Sequence, residues 1–180
     1  MQLRPLDSPA LIQLVAGWLA LKENYQWLDF GDGRQLVSPE WLKIAMQRGT
    51  LVLRVFTSDG DDRPIGVVAL SNVNPHFKTA NYWVVLGDKS CAGQGYASRA
   101  GLKMLTVGFR ELGLQAINTW IVEHNPSVQV ARNMNFKPMG RQRRCHHIDG
   151  QVYDRLWYDV LASEHSEGGE IQDVPRQQTA

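Results

Sequence analysis

The stretch that most restricts how this chain can fold lies between Asn81 and Leu112. An apolar β run at residues 81–86 leads through Gly93-Gln94-Gly95 into a long helix. Ala97, Ala100, Met104, Leu105, Phe109 and Leu112 recur on one helical face, with Arg99, Lys103, Thr106 and Arg110 off it, and Gly113 ends the pattern. A strand that feeds a glycine loop and then a helix commits the chain to a β–loop–α unit. Two glycines let the backbone come close to a ligand, and the helix N-terminus offers free N–H groups at the positive end of its dipole. Phosphate or pyrophosphate suits such a place. A capped turn that binds nothing fits the same pattern, and Gly-x-Gly alone does not separate the two. There is no Gly-x-x-x-x-Gly-Lys-Ser/Thr, no third glycine at the dinucleotide spacing and no early βαβ unit, so neither a P-loop nor a Rossmann cofactor site is expected.

The flanking sequence completes one domain. Ser8-Pro9 and Ser38-Pro39 each place an N-cap before a proline at the first helical position. Helices are expected at about 9–21 and 39–48, with a loop rich in aromatics and glycine at 25–33 between them. Strands are expected at 3–6, 51–56, 65–70, 81–86 and 116–122, with residues 72–79 looping out and a short helix at about 127–134. Two long arms at 137–148 and 152–161 flank Asp149-Gly150, a pair that favours a type I′ turn. The order β-α-α-β-β-β-α-β-α-β-β is that of an α/β (α+β) domain, with a mixed, mostly antiparallel central sheet and flanking helices. The folded domain is expected to be 1–161. Residues 162–180 hold almost no large apolar side chain and read as a polar, disordered tail.

Composition excludes more than it assigns. With 43% hydrophobic and 21% charged residues in 180, the chain can bury a core unaided. Lys and Arg number 19 against 18 Asp and Glu, so the basic excess of a general nucleic-acid binder is missing, and nucleic acid is not an expected partner. No apolar run is long enough to span a membrane, and the N-terminus lacks the apolar stretch of a signal peptide. Cys91 and Cys145 make no disulfide framework. The expected location is the cytoplasm. Cys145, His146 and His147 are adjacent on a strand, where neighbours point apart, so no metal is expected.

Residues 93–100, Gly-Gln-Gly-Tyr-Ala-Ser-Arg-Ala, resemble the Gly-x-Gly-Tyr-Gly/Ala-x-x-Ala loop of the GNAT N-acetyltransferase superfamily. Downstream, Asn125-Pro126-Ser127 and Asn135-Phe136-Lys137-Pro138-Met139-Gly140 are similar to its Asn-x-x-Ser and Gly-Phe-x-x-x-Gly stretches. The hairpin through Tyr153-Asp154 and Trp157-Tyr158 is similar to the closing hairpin of the RimJ/RimL-like branch. The resemblance implies the GNAT acyl-CoA N-acyltransferase fold. It also implies acetyl-CoA as co-substrate, and transfer of its acetyl group to a primary amine (protein N-terminus, amino sugar or small metabolite) by direct attack through a tetrahedral intermediate. Backbone of Val84, Val85 and Leu86 would hold the pantetheine arm. Amides of Gly93, Gln94, Gly95, Tyr96 and Ala97 would hold the pyrophosphate. Asn125 would tie the loop and touch the cofactor; as a plain Asx turn before Pro126 it would do neither.

Two departures from the family pattern stand out. The Arg or Gln usual three residues before the second glycine is Ala92, and the tyrosine usual one turn after Ser127 is Ala131. Ser127 is therefore the general-acid candidate, although a helix cap explains a serine there equally well. Glu123 is the base candidate, ahead of His124, at the end of the central strand. The two departures also motivate an alternative, a non-catalytic acyl-CoA-binding or sensor module. The C-terminal hairpin offers an edge through which a homodimer could pair.

Overall fold

The computed structural model describes residues 1–29 and 37–166. Seven strands form one sheet in the order β1-β2-β3-β4-β5-β7-β6. β1 (Leu3–Pro5), β2 (Leu51–Thr57), β3 (Pro64–Asn74) and β4 (Thr79–Leu86) pair antiparallel in succession. β4 then pairs parallel with β5 (Ala116–Val122), which pairs antiparallel with β7 (Gln151–Leu161), and β7 with β6 (Lys137–Ile148). The sheet is mixed and mostly antiparallel, as expected.

Helices cover both faces. α1 (Pro9–Ala20), α2 (Lys22–Tyr25) and α3 (Pro39–Gln47) lie on one, and α4 (Tyr96–Thr106) and α5 (Ser127–Asn133) on the other. β3 shows why two cores form: Val67 and Ala69 pack with Val15, Leu19 and Leu42 beneath α1 and α3, while Val68 and Leu70 pack with Ala100, Met104 and Leu105 of α4. All of these side chains are buried, and each large one contributes about 1.5–3 kcal/mol of transfer free energy.

Both Ser-Pro starts act as read. Ser8 Oγ accepts the Leu11 N–H at 3.2 Å and Ser38 Oγ the Trp41 N–H at 3.1 Å. Asp149 and Gly150 both have positive φ, 50° and 76°, which is the type I′ requirement. Three segments differ from the sequence reading. A single turn, α2, fills the gap between the helix expected at 9–21 and the loop expected at 25–33. β3 and β4 run on to Asn74 and back from Thr79, across residues that read as a loop. Asn72, Asn74 and Thr79 are polar, so periodicity gives no strand pattern; backbone pairing in a tight hairpin sets the conformation instead. The long helix ends in a π turn, Val107–Glu111. Beyond Leu161 a 3₁₀ turn, Ala162–Glu164, follows, and the His165 ring lies 2.7 Å from Thr106 Oγ1. Residues 167–180 of the polar tail lie outside the described residues, as does Phe30.

Gly101 sets the closeness of α4 to the sheet: a Cβ there would meet Met134 and the Tyr82 hydroxyl. That hydroxyl is buried with no hydrogen-bond partner among the described residues, and burial pushes its pKa upward. Among the described residues no helix is long and apolar enough to cross a membrane.

Candidate active site

The site begins where the sheet splits. β4 and β5 pair over only Thr79–Asn81 against Ala116–Asn118, and then part. At the crotch Thr119 Oγ1 donates to the Tyr82 carbonyl at 3.0 Å. A cavity of about 390 Å³ fills the gap. Val84, Val85 and Leu86 line one wall, Thr119 and Ile121 the other, and Gly93, Ala97, Asn125 and Ser127 the far end. Beyond Tyr82 the β4 edge that faces β5 has no strand partner, so its peptide groups face the cleft.

Gly95 is the N-cap of α4 with φ of 75°, and no side chain caps that end. Only glycine takes this left-handed backbone without strain, and the uncapped first amides of α4 stay available to an anion. Asp88 shapes the approach: its Oδ1 accepts the Ser90 N–H at 3.0 Å, and the neighbouring Arg63 guanidinium, then Ser90, bring its carboxyl down to about 2. These features fit a thioester arm in the fork with its phosphates at the head of α4.

The expected residues divide. Val84, Val85, Leu86, Gly93, Ala97, Asn125 and Ser127 line the fork cavity. Gln94, Gly95 and Tyr96 do not. Gln94 Nε2 donates to the Ser90 carbonyl at 3.3 Å, and Tyr96 is buried in the α4 core with its hydroxyl accepting the Asp59 N–H. Asn125 lines the cavity, and its Oδ1 accepts the Ser127 N–H at 2.8 Å, which is the Asx turn. The Ser127 hydroxyl makes no hydrogen bond among the described residues.

Glu123 and His124 border neither cavity of this region. β5 stops at Val122 and the chain turns, with His124 at φ of 70°. Glu123 swings to the hairpin, where its Oε1 accepts the Asp154 N–H at 2.9 Å and its Oε2 lies 3.4 Å from Arg141. Asp154 also pairs with Arg141, at 3.0 Å, and accepts the Arg144 N–H, which holds its carboxyl below the usual range. Glu123 thus clamps β5 to the hairpin.

A second cavity, of about 430 Å³, opens on the α1/α3 face. Trp27, Leu28, Tyr82, Trp83 and Trp120 border both, so the two meet at the fork. The wall behind Trp120 is a connected unit. The Arg155 guanidinium lies 3.9 Å from the Trp120 ring centroid, bonds His146 Nδ1 and pairs with Asp29 at 3.0 Å. His146 Nε2 contacts the Gln26 carbonyl at 2.7 Å. With Arg155 donating to Nδ1, His146 is neutral and carries its proton on Nε2. Burial, first, then Arg155 and His147, hold its pKa below the ordinary histidine value, against the opposite pull of Gln26 and Asp29.

Sequence reasoning misses this wall because its members come from four separate places, the loop after α2, β5, β6 and β7. Lys89 lies between β4 and the Gly93-Gln94-Gly95 loop, where a reading of the sequence could have found it. Lys89 lines the fork cavity, bonds Asn24 Oδ1 at 2.5 Å and the Leu86 carbonyl at 2.8 Å, and supplies positive charge near Ala92.

Comparison with known proteins agrees with this architecture. The family model of the acetyltransferase (GNAT) domain matches residues 1–137. Among curated proteins none matches the sequence significantly. Spermidine N-acetyltransferase from Vibrio cholerae, solved with CoA and spermine, superposes with a TM-score of 0.78 at 19% identity, over 91% of this chain and 96% of that one. The ribosomal-protein-S5-alanine acetyltransferase from Vibrio fischeri gives 0.73 at 18% identity, over 92% and 95%. RimL, the ribosomal L7/L12 α-N-protein acetyltransferase, solved with CoA, gives 0.69 at 25% identity, over 88% and 92%. With a split sheet, an uncapped glycine-headed helix beside it and a family match over most of its length, the chain belongs to the GNAT acetyltransferases and is an acetyl-CoA-dependent N-acetyltransferase.

Proposed function

We propose that the acceptor amine enters through the cavity on the α1/α3 face and attacks the thioester held in the fork directly, through a tetrahedral intermediate. The observation that carries this reading is that the two cavities meet at Trp83 and Trp120, beside the open edge of β4. Backbone of Val84, Val85 and Leu86 pairs with the pantetheine arm, and an N–H from this edge steadies the oxyanion. The amides of Gly93 to Ala97 take the pyrophosphate, and Lys89 adds the charge that Ala92 cannot. Ser127 protonates the departing thiolate from the cavity end. Water takes the proton of the amine, because Glu123 and His124 are turned away. The alternative reading, a non-catalytic acyl-CoA module, rests on Ala92 and Ala131; an acceptor-sized cavity that opens onto the fork argues against it. The two free cysteines agree with a cytoplasmic location. The outer edge of β6, exposed along Lys137–Arg144, is the surface for a homodimer.

Thiol release from acetyl-CoA across a panel of amines, amino sugars and peptides tests the proposal. Ser127→Ala is expected to lower kcat about 100-fold while the acetyl-CoA Kd, by calorimetry, holds. Binding of acetyl-CoA without release for any amine would refute it.

A further inference from the structure

The acceptor cavity has a polarity that chooses among amines. Its described lining carries two charged side chains, Asp29 and Arg48. The Asp29 carboxylate pairs with Arg155 at 3.0 Å. Arg48, at the C-terminal end of α3, makes no ion pair among the described residues. Trp27, Trp41, Trp83 and Trp120 supply aromatic wall, but a Trp120 face is covered by the protein's own guanidinium. Among the described residues two guanidinium groups, Arg48 in the lining and Arg155 behind Trp120, stand against the Asp29 carboxylate, and a polycationic amine meets repulsion. The same positive field disfavours the ammonium form of an acceptor and so favours the neutral amine that attack requires.

The cavity is also long. Leu51, Ser71 and Asn81 line it and are cross-strand neighbours in one row, which ends at Asn118 of β5. From Leu51 to β5 is three strand spacings, roughly 14 Å. The fork lies at the β5 end. Arg48 stands at the β2 end, three residues before Leu51 in the chain. Trp41 and Trp83 line the space with it.

We propose that the acceptor is an elongated amine with an aromatic or apolar body and an anionic group at the end opposite the reacting nitrogen, and that Arg48 is the residue that selects it. This rests on the acetyl-transfer reading above and adds the class of amine to it.

The test is thiol release with three probes: 4-(aminomethyl)benzoate, its neutral counterpart 4-(aminomethyl)benzamide, and spermidine. The benzoate is expected to exceed the benzamide in kcat/KM by about tenfold, the worth of one charge-assisted hydrogen-bonded pair, and spermidine by more. Arg48→Met is expected to raise KM for the benzoate about tenfold, to leave its kcat and the benzamide KM within about twofold, and to be partly rescued by Arg48→Lys. Arg48 is exposed, so an unchanged Tm accompanies these effects. Benzamide or spermidine used as well as the benzoate, or equal losses for acid and amide in Arg48→Met, overturns the inference. So does an inert benzoate while other amines release thiol, and then acetyl transfer itself stands. No release with any amine, with acetyl-CoA bound, overturns both.

Discussion

The two cavities that meet at the fork are built from different materials. On the reading proposed above, the cofactor side is backbone: a free strand edge, a left-handed glycine and the first amides of α4. The acceptor side is side chain: tryptophans and arginines from the α2 loop, α3, β4, β5 and the hairpin. Backbone recognition tolerates changes of side chain but not of conformation, and side-chain recognition does the reverse. A site that uses one co-substrate throughout and fits its acceptor separately can thus alter one half without the other.

The sharpest way to break this contrast is at Gly95. Gly95→Val forces a β-branched residue to φ of 75° and costs up to about 3 kcal/mol, so acetyl-CoA affinity by calorimetry should fall about 100-fold while circular dichroism still reports the fold. A wild-type affinity would mean that the amides of α4 do not hold the phosphates. Arg155→Met comes next, on the side-chain half. Loss of its contacts to Trp120, His146 and Asp29 should raise amine KM about tenfold with acetyl-CoA affinity unchanged. Equal damage to both ligands would mean that the halves are not separable.

A gentler probe is pH. His146 is neutral in the fold and its pKa lies below the ordinary value, so below about pH 6.5 the unfolded chain binds a proton that the folded chain resists. Stability is therefore lost as pH falls below about 6.5 and is untouched above it. His146→Gln should flatten the decline of Tm between pH 6.5 and 5; an unchanged slope would free the Arg155 wall of any link to this histidine. The smallest effect belongs to Glu123. Glu123→Gln keeps an oxygen for the Asp154 N–H and should leave kcat within about twofold, whereas a loss near 100-fold would restore it as the base.

Legibility in the sequence follows the same division. The Gly93–Ala97 loop, the strand before it and Asn125-Pro126-Ser127 could be read because each is a local run whose spacing records its backbone shape. Both Ser-Pro helix starts and the Asp149-Gly150 turn were visible for that reason. Trp41, Arg48, Trp120, His146 and Arg155 carry no such record. They converge only once β5 pairs with β7 and α3 settles on β2, and no spacing in the chain encodes that meeting. Glu123 misled for a related reason. Its place at the end of β5 was correct, but the backbone there still follows β7, with the Glu123 N–H on the Asp154 carbonyl, and its carboxylate bonds the Asp154 N–H beside Arg141.

The three-pair junction of β4 with β5 has a mechanical meaning. It joins a four-stranded half, β1 to β4, to a three-stranded half, β5 to β7, along a seam of three residue pairs and one threonine hydrogen bond. The β4 amides past Tyr82 that face β5 have no strand partner, so amide exchange should be fast along this edge. A ligand that bonds this edge acts as the missing strand. On the reading proposed above, the pantetheine arm completes the sheet, and Tm should rise with acetyl-CoA concentration.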